Sequence, residues 1–103
     1  MHTLKEVQEY LSNLSISKDR IKDCYDLIDY PISRVNTEDK KWVACQQGHE
    51  KSTVVDAIDE ILDEKYLTSD IQDAVTTTCK QFEKVTHKHR IPFYVLVIDK
   101  LID

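Results

Sequence analysis

The chain has 103 residues, of which 41% are hydrophobic and 32% charged, and this excludes both a disordered chain and two domains with separate cores. Its formal net charge of -5 argues against nonspecific binding to DNA, RNA or anionic lipid, because those surfaces repel a carboxylate-rich protein. One glycine and two prolines supply few of the turns that a many-stranded sheet needs. We therefore expect an all-α fold, with residues 1–103 forming a single compact bundle of five or six short helices.

The apolar segments and the cysteines indicate where the protein resides. The longest apolar run, residues 93–98, is far shorter than the roughly 20 residues that span a bilayer, and the N-terminus lacks the pattern of a signal peptide. Cys24, Cys45 and Cys79 include no closely spaced pair, so a disulfide framework is not expected and a reducing compartment is indicated. These features predict a cytoplasmic protein with no membrane partner.

Two helices are predicted at the start of the chain. Thr3 and Glu6 have the spacing of a capping box, and leucine and valine then recur at helical intervals over residues 4–14. Ser17 is typical of the residue that caps a second helix, which Pro31 would prevent from continuing.

The middle of the chain is ambiguous. Asn36 or Thr37 could cap a short third helix that runs through Trp42 and closes at Gly48, the single glycine. Residues 42–45 would serve equally well as a strand.

A helical hairpin is the clearest prediction. From Ser52 or Thr53 to Tyr66, apolar residues occupy one helical face and acidic residues the other. Ser69 and Gln72 then have capping-box spacing at the start of a helix over residues 70–88. Because so few residues separate the two helices, we expect them to pack antiparallel at the centre of the core.

The last apolar segment, residues 91–98, fits two structures. Its β-branched and aromatic residues favour a strand, whereas Pro92 is typical of the first turn of a helix. We favour a buried terminal helix. The alternative is an α+β fold in which residues 41–46 and 93–98 form a small two-stranded sheet.

An acidic stripe on the fourth predicted helix is the leading candidate site. Residues 52–73 contain seven acidic residues against Lys65 alone. Such a stripe could dock a basic protein surface or imitate the phosphates of a nucleic acid, and its ordinary alternative is a solvated helix face. The candidate partner-binding residues are Asp56, Asp59, Glu60, Asp63 and Glu64.

A basic patch follows at the end of the fifth predicted helix and is formed by Lys80, Lys84, Lys88 and Arg90. Cations are favourable at the C-terminal end of a helix, which explains much of the patch without a ligand. An alternative function is that of a dimeric, nucleic-acid-binding transcriptional regulator that uses these residues. No interleaved aromatic residues or glycine-rich phosphate loop accompany them, so nucleic acid is not the favoured partner.

A metal site or an active site would have to use thiols and imidazoles. The candidates are Cys45, His49, Cys79, His87 and His89, but their spacing matches no zinc-binding pattern. The chain also has no recognised catalytic motif. We therefore expect no metal, no cofactor and no enzymatic activity, and a small enzyme or metal protein remains the third hypothesis.

The favoured function is that of a small interaction protein. It would act as an inhibitor, immunity factor, adaptor or regulator by covering a basic surface of another protein, and a homodimer is a further assembly to consider. In size, acidity and helix content alone, the chain resembles bacterial toxin-immunity proteins and phage-encoded host inhibitors.

Overall fold

Five helices and one short strand pair make up the part of the chain that the computed structural model describes, residues 3–28, 42–43, 48–83 and 88–102. Their order is α1 (Leu4–Tyr10), α2 (Lys18–Leu27), β1 (Trp42–Val43), α3 (Gly48–Ile61), α4 (Thr68–Gln81), β2 (Lys88–His89) and α5 (Arg90–Leu101). The molecule measures 30 × 29 × 27 Å. The predicted all-α bundle is therefore confirmed.

The starts of α1 and α2 follow local capping chemistry. The Thr3 hydroxyl accepts a hydrogen bond from the Glu6 amide at 3.2 Å, and the Glu6 carboxylate accepts one from the Thr3 amide at 3.3 Å. Ser17 accepts one from the amide of Arg20 at 3.1 Å. Both predicted starts are confirmed, whereas α1 ends at Tyr10 rather than near residue 14.

Helix α3 begins and ends earlier than predicted. It starts at Gly48, so the glycine opens this helix instead of closing a preceding one, and it ends at Ile61 instead of Tyr66. Beyond it, Asp63 and Glu64 have φ of 55° and 59°, the left-handed region that non-glycine residues avoid. Those two residues turn the chain towards α4.

Helix α4 starts without the predicted capping box. Leu67 holds the N-cap position and no side chain caps the helix, so the prediction for Ser69 and Gln72 is wrong. The helix also ends at Gln81, well before residue 88.

Helix α5, and not the predicted hairpin of α3 and α4, is the centre of the core, so that prediction is wrong. All nine residues from Arg90 to Ile98 are buried, and the helix contacts each of the other four helices. A helix that is apolar on every side requires this position, because no face of it is suited to water. The predicted buried terminal helix is confirmed.

The α+β alternative and the predicted third helix are both wrong where the structure describes them. Residues 93–98 are helical, and the strand pairing joins Trp42 to His89 and Val43 to Lys88 in antiparallel register. Trp42 and Val43 are thus extended rather than helical. Asn36 and Thr37, the predicted caps, lie outside the described residues.

Arg20 fastens α2 to the C-terminal end of α5. Its Nε donates to Asp99 Oδ1 at 2.5 Å, and its Nη2 donates to the carbonyl oxygens of Asp99 at 3.0 Å and Ile102 at 2.8 Å. The hydrogen bond to the Asp99 carboxylate raises the pKa of Arg20. The guanidinium thereby satisfies carbonyl groups that the end of a helix leaves without partners.

The cysteines differ from expectation in one respect. Cys79 is disulfide-bonded, although the spacing of the cysteines predicted no disulfide framework, and this bond removes the cysteine argument for a reducing compartment. Cys24 is a free, fully buried thiol, and burial raises its pKa to about 11. Cys45 lies outside the described residues.

Candidate functional site

The predicted acidic residues occupy two different local structures. Asp56, Asp59 and Glu60 project from α3, with Asp59 half-buried and the other two exposed. Asp63 and Glu64 lie beyond the end of the helix, both exposed, in the left-handed turn. The predicted acidic residues therefore lie partly on α3 and partly in the turn that follows it, and not on one helix.

A groove between α3 and α4 brings acidic residues of the two helices together. Its volume is about 410 Å³, and Val55 and Val75 contribute to its lining although both are buried. Its polar lining consists of Ser52 and Asp56 from α3 and of Thr68, Gln72, Asp73 and Thr76 from α4. We call this the first groove.

A second groove, of about 520 Å³, lies on the other side of α4 and reaches the end of α5. Asp70 and Asp73 line it together with Lys100, so its charges are mixed. The ammonium of Lys100 donates to Gln81 Oε1 at 2.5 Å and to the Leu96 carbonyl at 3.2 Å, and partial burial lowers its pKa. Asp73 lines both grooves.

Leu67 is an exposed apolar side chain in the connection between α3 and α4. It is 69% exposed, and the only other large hydrophobic residue of the described chain that is exposed is Leu27 on α2, at 42%. Of the two residues next to Leu67 in the sequence, Tyr66 lines the second groove and Thr68 lines the first. We define the acidic surface as Leu67 together with Asp56, Asp59, Glu60, Asp63, Glu64, Asp70 and Asp73.

No salt bridge between described residues neutralises the acidic surface, although Lys100 lines the second groove beside Asp70 and Asp73. Across the described residues, the two salt bridges are those of Arg20 with Asp99 and of Lys22 with Asp26, and neither reaches this surface. Over residues 52–73, Lys65 is the one basic residue. The surface therefore presents a negative potential to any approaching molecule.

Two of the four residues of the predicted basic patch have described side chains, Lys80 and Arg90. Lys80 is exposed on α4, but Arg90 is only 4% exposed, so the prediction of a surface cation at this position is wrong. Its Nη1 donates to the hydroxyl of Tyr94 at 3.1 Å, and its guanidinium carbon lies 5.9 Å from the centre of that ring. Lys84 and the side chain of Lys88 lie outside the described residues.

The candidate metal ligands form no site in the described part of the chain, where no three His, Cys, Asp or Glu residues are grouped to hold an ion. Cys79 is in a disulfide bond and offers no thiolate. The ring of His89 lies edge-on to Tyr10, with centroids 5.1 Å apart. Cys45 and His87 are outside the described residues, as is the side chain of His49.

Comparison with known protein families, with curated proteins and with solved structures finds no match for this chain. Among the helices described, none is long and apolar enough to span a bilayer.

Sequence reasoning missed Asp73 and Leu67 as site residues. Asp73 belongs to the site because α3 and α4 lie side by side, which no spacing within either helix reveals. The signal for Leu67 was available, since an isolated leucine in a polar connection has no helical stripe to join.

Proposed function

We propose that this chain is a protein-binding module whose acidic surface docks onto a basic surface of another protein. In that role it acts as an inhibitor, immunity factor, adaptor or regulator. The observation that carries the proposal is the exposure of Leu67, an apolar residue that stands in the sequence between Tyr66 of the second groove and Thr68 of the first, among the acidic residues of 56–73. An apolar contact at the centre of a charged rim is the usual organisation of a protein interface.

The two components of the surface have separate energetic roles. Removing the exposed part of Leu67 from water would contribute about 1 to 2 kcal/mol to binding. The carboxylates would accelerate encounter with a basic partner and select against acidic ones, an effect that salt weakens. The partner thus needs an apolar contact surrounded by lysine and arginine.

A second copy of the chain is not the favoured occupant of this surface. Two acidic surfaces facing each other would bring seven carboxylates from each copy into repulsion. A homodimer would have to use another face, and the proposal assigns no catalytic role to the chain.

Affinity capture with charge-matched variants tests the proposal. The tagged chain is exposed to lysate of its source cells at low and moderate salt, as the wild type and as the Asp56→Asn, Glu60→Gln, Asp63→Asn variant. The control is Glu9→Gln, Asp19→Asn, Asp23→Asn, which changes three exposed residues of α1 and α2. Each set removes three negative charges from a net charge of -5 and leaves -2, so a difference between them reports position and not total charge.

We expect one stoichiometric basic protein that the wild type and the control retain and the acidic-surface variant loses by about tenfold or more in affinity. Retention should also fall as salt increases. If the captured protein binds both variants equally, the acidic surface is not the docking site and the proposal fails.

A further inference from the structure

The first groove is rich in hydrogen-bond acceptors and negative in charge. Asp56 and Asp73 reach it from two different helices, and hydroxyl and amide oxygens of the other polar lining residues add further acceptors. None of the described residues that line it is basic. A ligand that fits must therefore supply positive charge and several donors.

An arginine side chain meets these requirements better than a lysine. The guanidinium has five N–H donors, no acceptor and a planar shape, and it is more weakly hydrated than an ammonium, so it loses less when it enters a groove. Val55 and Val75 offer apolar contact for its methylene stem. A volume of about 410 Å³ is enough for one long side chain.

The second groove is a poorer site for the same group. Lys100 lines the second groove, whereas no basic residue among the described ones lines the first. A second cation in the second groove would be repelled at short range.

We propose that the first groove receives an arginine side chain of the partner protein, held between Asp56 and Asp73, while a neighbouring apolar residue of the same segment contacts Leu67. The inference rests on the proposed function and specifies the chemistry of the partner.

The experiment is a titration of the ¹⁵N-labelled chain with a blocked tripeptide, Ala-Arg-Ala, followed by amide chemical shifts. Two further tripeptides carry lysine or citrulline at the centre, the latter an uncharged analogue of arginine. We expect saturable shifts at the first groove with arginine, binding weaker by several-fold with lysine, and no binding with citrulline. Equal responses to arginine and lysine, or shifts spread over all acidic residues, would overturn the inference.

Three single variants show which groove binds the arginine side chain of the tripeptide, because Asp56, Asp70 and Asp73 line different grooves. Asp56 lines only the first groove, Asp70 only the second, and Asp73 both. We expect Asp56→Asn and Asp73→Asn to weaken arginine binding by about tenfold and Asp70→Asn to leave it nearly unchanged. Loss with Asp70→Asn but not with Asp56→Asn would place the cation in the second groove and overturn the inference.

The inference and the proposed function can fail separately. If lysate capture depends on the acidic surface but the tripeptide does not bind, the function stands and the arginine site is wrong. If the tripeptide binds in the first groove but no captured protein depends on the acidic surface, the arginine site stands and the proposed function fails.

Discussion

Replacing Arg20 by alanine should destabilise the fold more than any other removal of a surface charge from α2. The guanidinium makes three hydrogen bonds to the end of α5, two of them to backbone carbonyl oxygens. A hydrogen bond from a charged group that is shielded from water contributes about 1.5 to 3 kcal/mol to the free energy of unfolding, whereas an exposed ion pair contributes about 0 to 1 kcal/mol. The side chains of Arg20 and Asp99 are 28% and 31% exposed, which places the contact between these cases.

We therefore expect Arg20→Ala to lower the free energy of unfolding by about 2 to 3 kcal/mol. In urea unfolding followed by circular dichroism, this corresponds to a midpoint roughly 1 to 2 M lower with an unchanged slope. Asp99→Asn should cost less, because it removes the ion pair but keeps both backbone acceptors.

Lys22→Ala is the matched control for Arg20→Ala. Lys22 lies on the same helix and makes an ion pair with Asp26 at 2.6 Å, but both side chains are more than half exposed. Its removal should leave the midpoint nearly unchanged, since exposed pairs one helical turn apart contribute little. If Arg20→Ala is no more destabilising than Lys22→Ala, the account of Arg20 as the fastening between α2 and α5 is refuted.

Three further predictions concern the backbone and the thiols. Glu64→Gly should stabilise the fold by about 0.5 to 1 kcal/mol because it relieves a left-handed conformation, whereas Glu60→Gly within α3 should destabilise it by a similar amount in the same urea assay. The pKa of about 11 for Cys24 lies above that of a thiol in the unfolded chain. The contribution of the buried neutral thiol to the free energy of unfolding is therefore complete below about pH 8.5 and is lost as the pH rises towards 11. The stability difference between the wild type and Cys24→Ala should then change by about 2 to 3 kcal/mol over that range, and a constant difference would contradict the assignment. Alkylation of the denatured, unreduced chain should label Cys24 and should reach Cys79 only after reduction.

Local chemistry explains which parts of the fold the sequence predicts. The caps at Thr3 and Ser17 depend on residues within one turn, and both formed, whereas the same pattern at Ser69 and Gln72 formed no cap because α4 begins before it, at Thr68. Pro92 likewise favours a helix start by its own geometry. Predictions failed where tertiary contacts decide, as at residues 42–43, which pair with a strand more than forty positions away.

The candidate site was only partly predictable for the same reason. The acidic residues of one helix are visible in its spacing, but the first groove exists only because Asp73 on α4 lies beside α3. Arg90 shows the opposite error, since a charged residue is expected at the surface and this one is buried against Tyr94. A burial of that kind depends on a partner that no local pattern identifies.

The central position of α5 constrains how the chain can fold during its synthesis. Helices α1 to α4 leave the ribosome before α5, the helix on which they pack. The hydrogen-bond acceptors of Arg20, on Asp99 and Ile102, lie 79 and 82 positions later in the chain. Closing such long loops carries an entropic cost before any burial offsets it, which slows folding. Until α5 emerges, the apolar faces of α1 to α4 that pack against it stay exposed to water. A chaperone that binds apolar surface would therefore bind the nascent chain best during this interval.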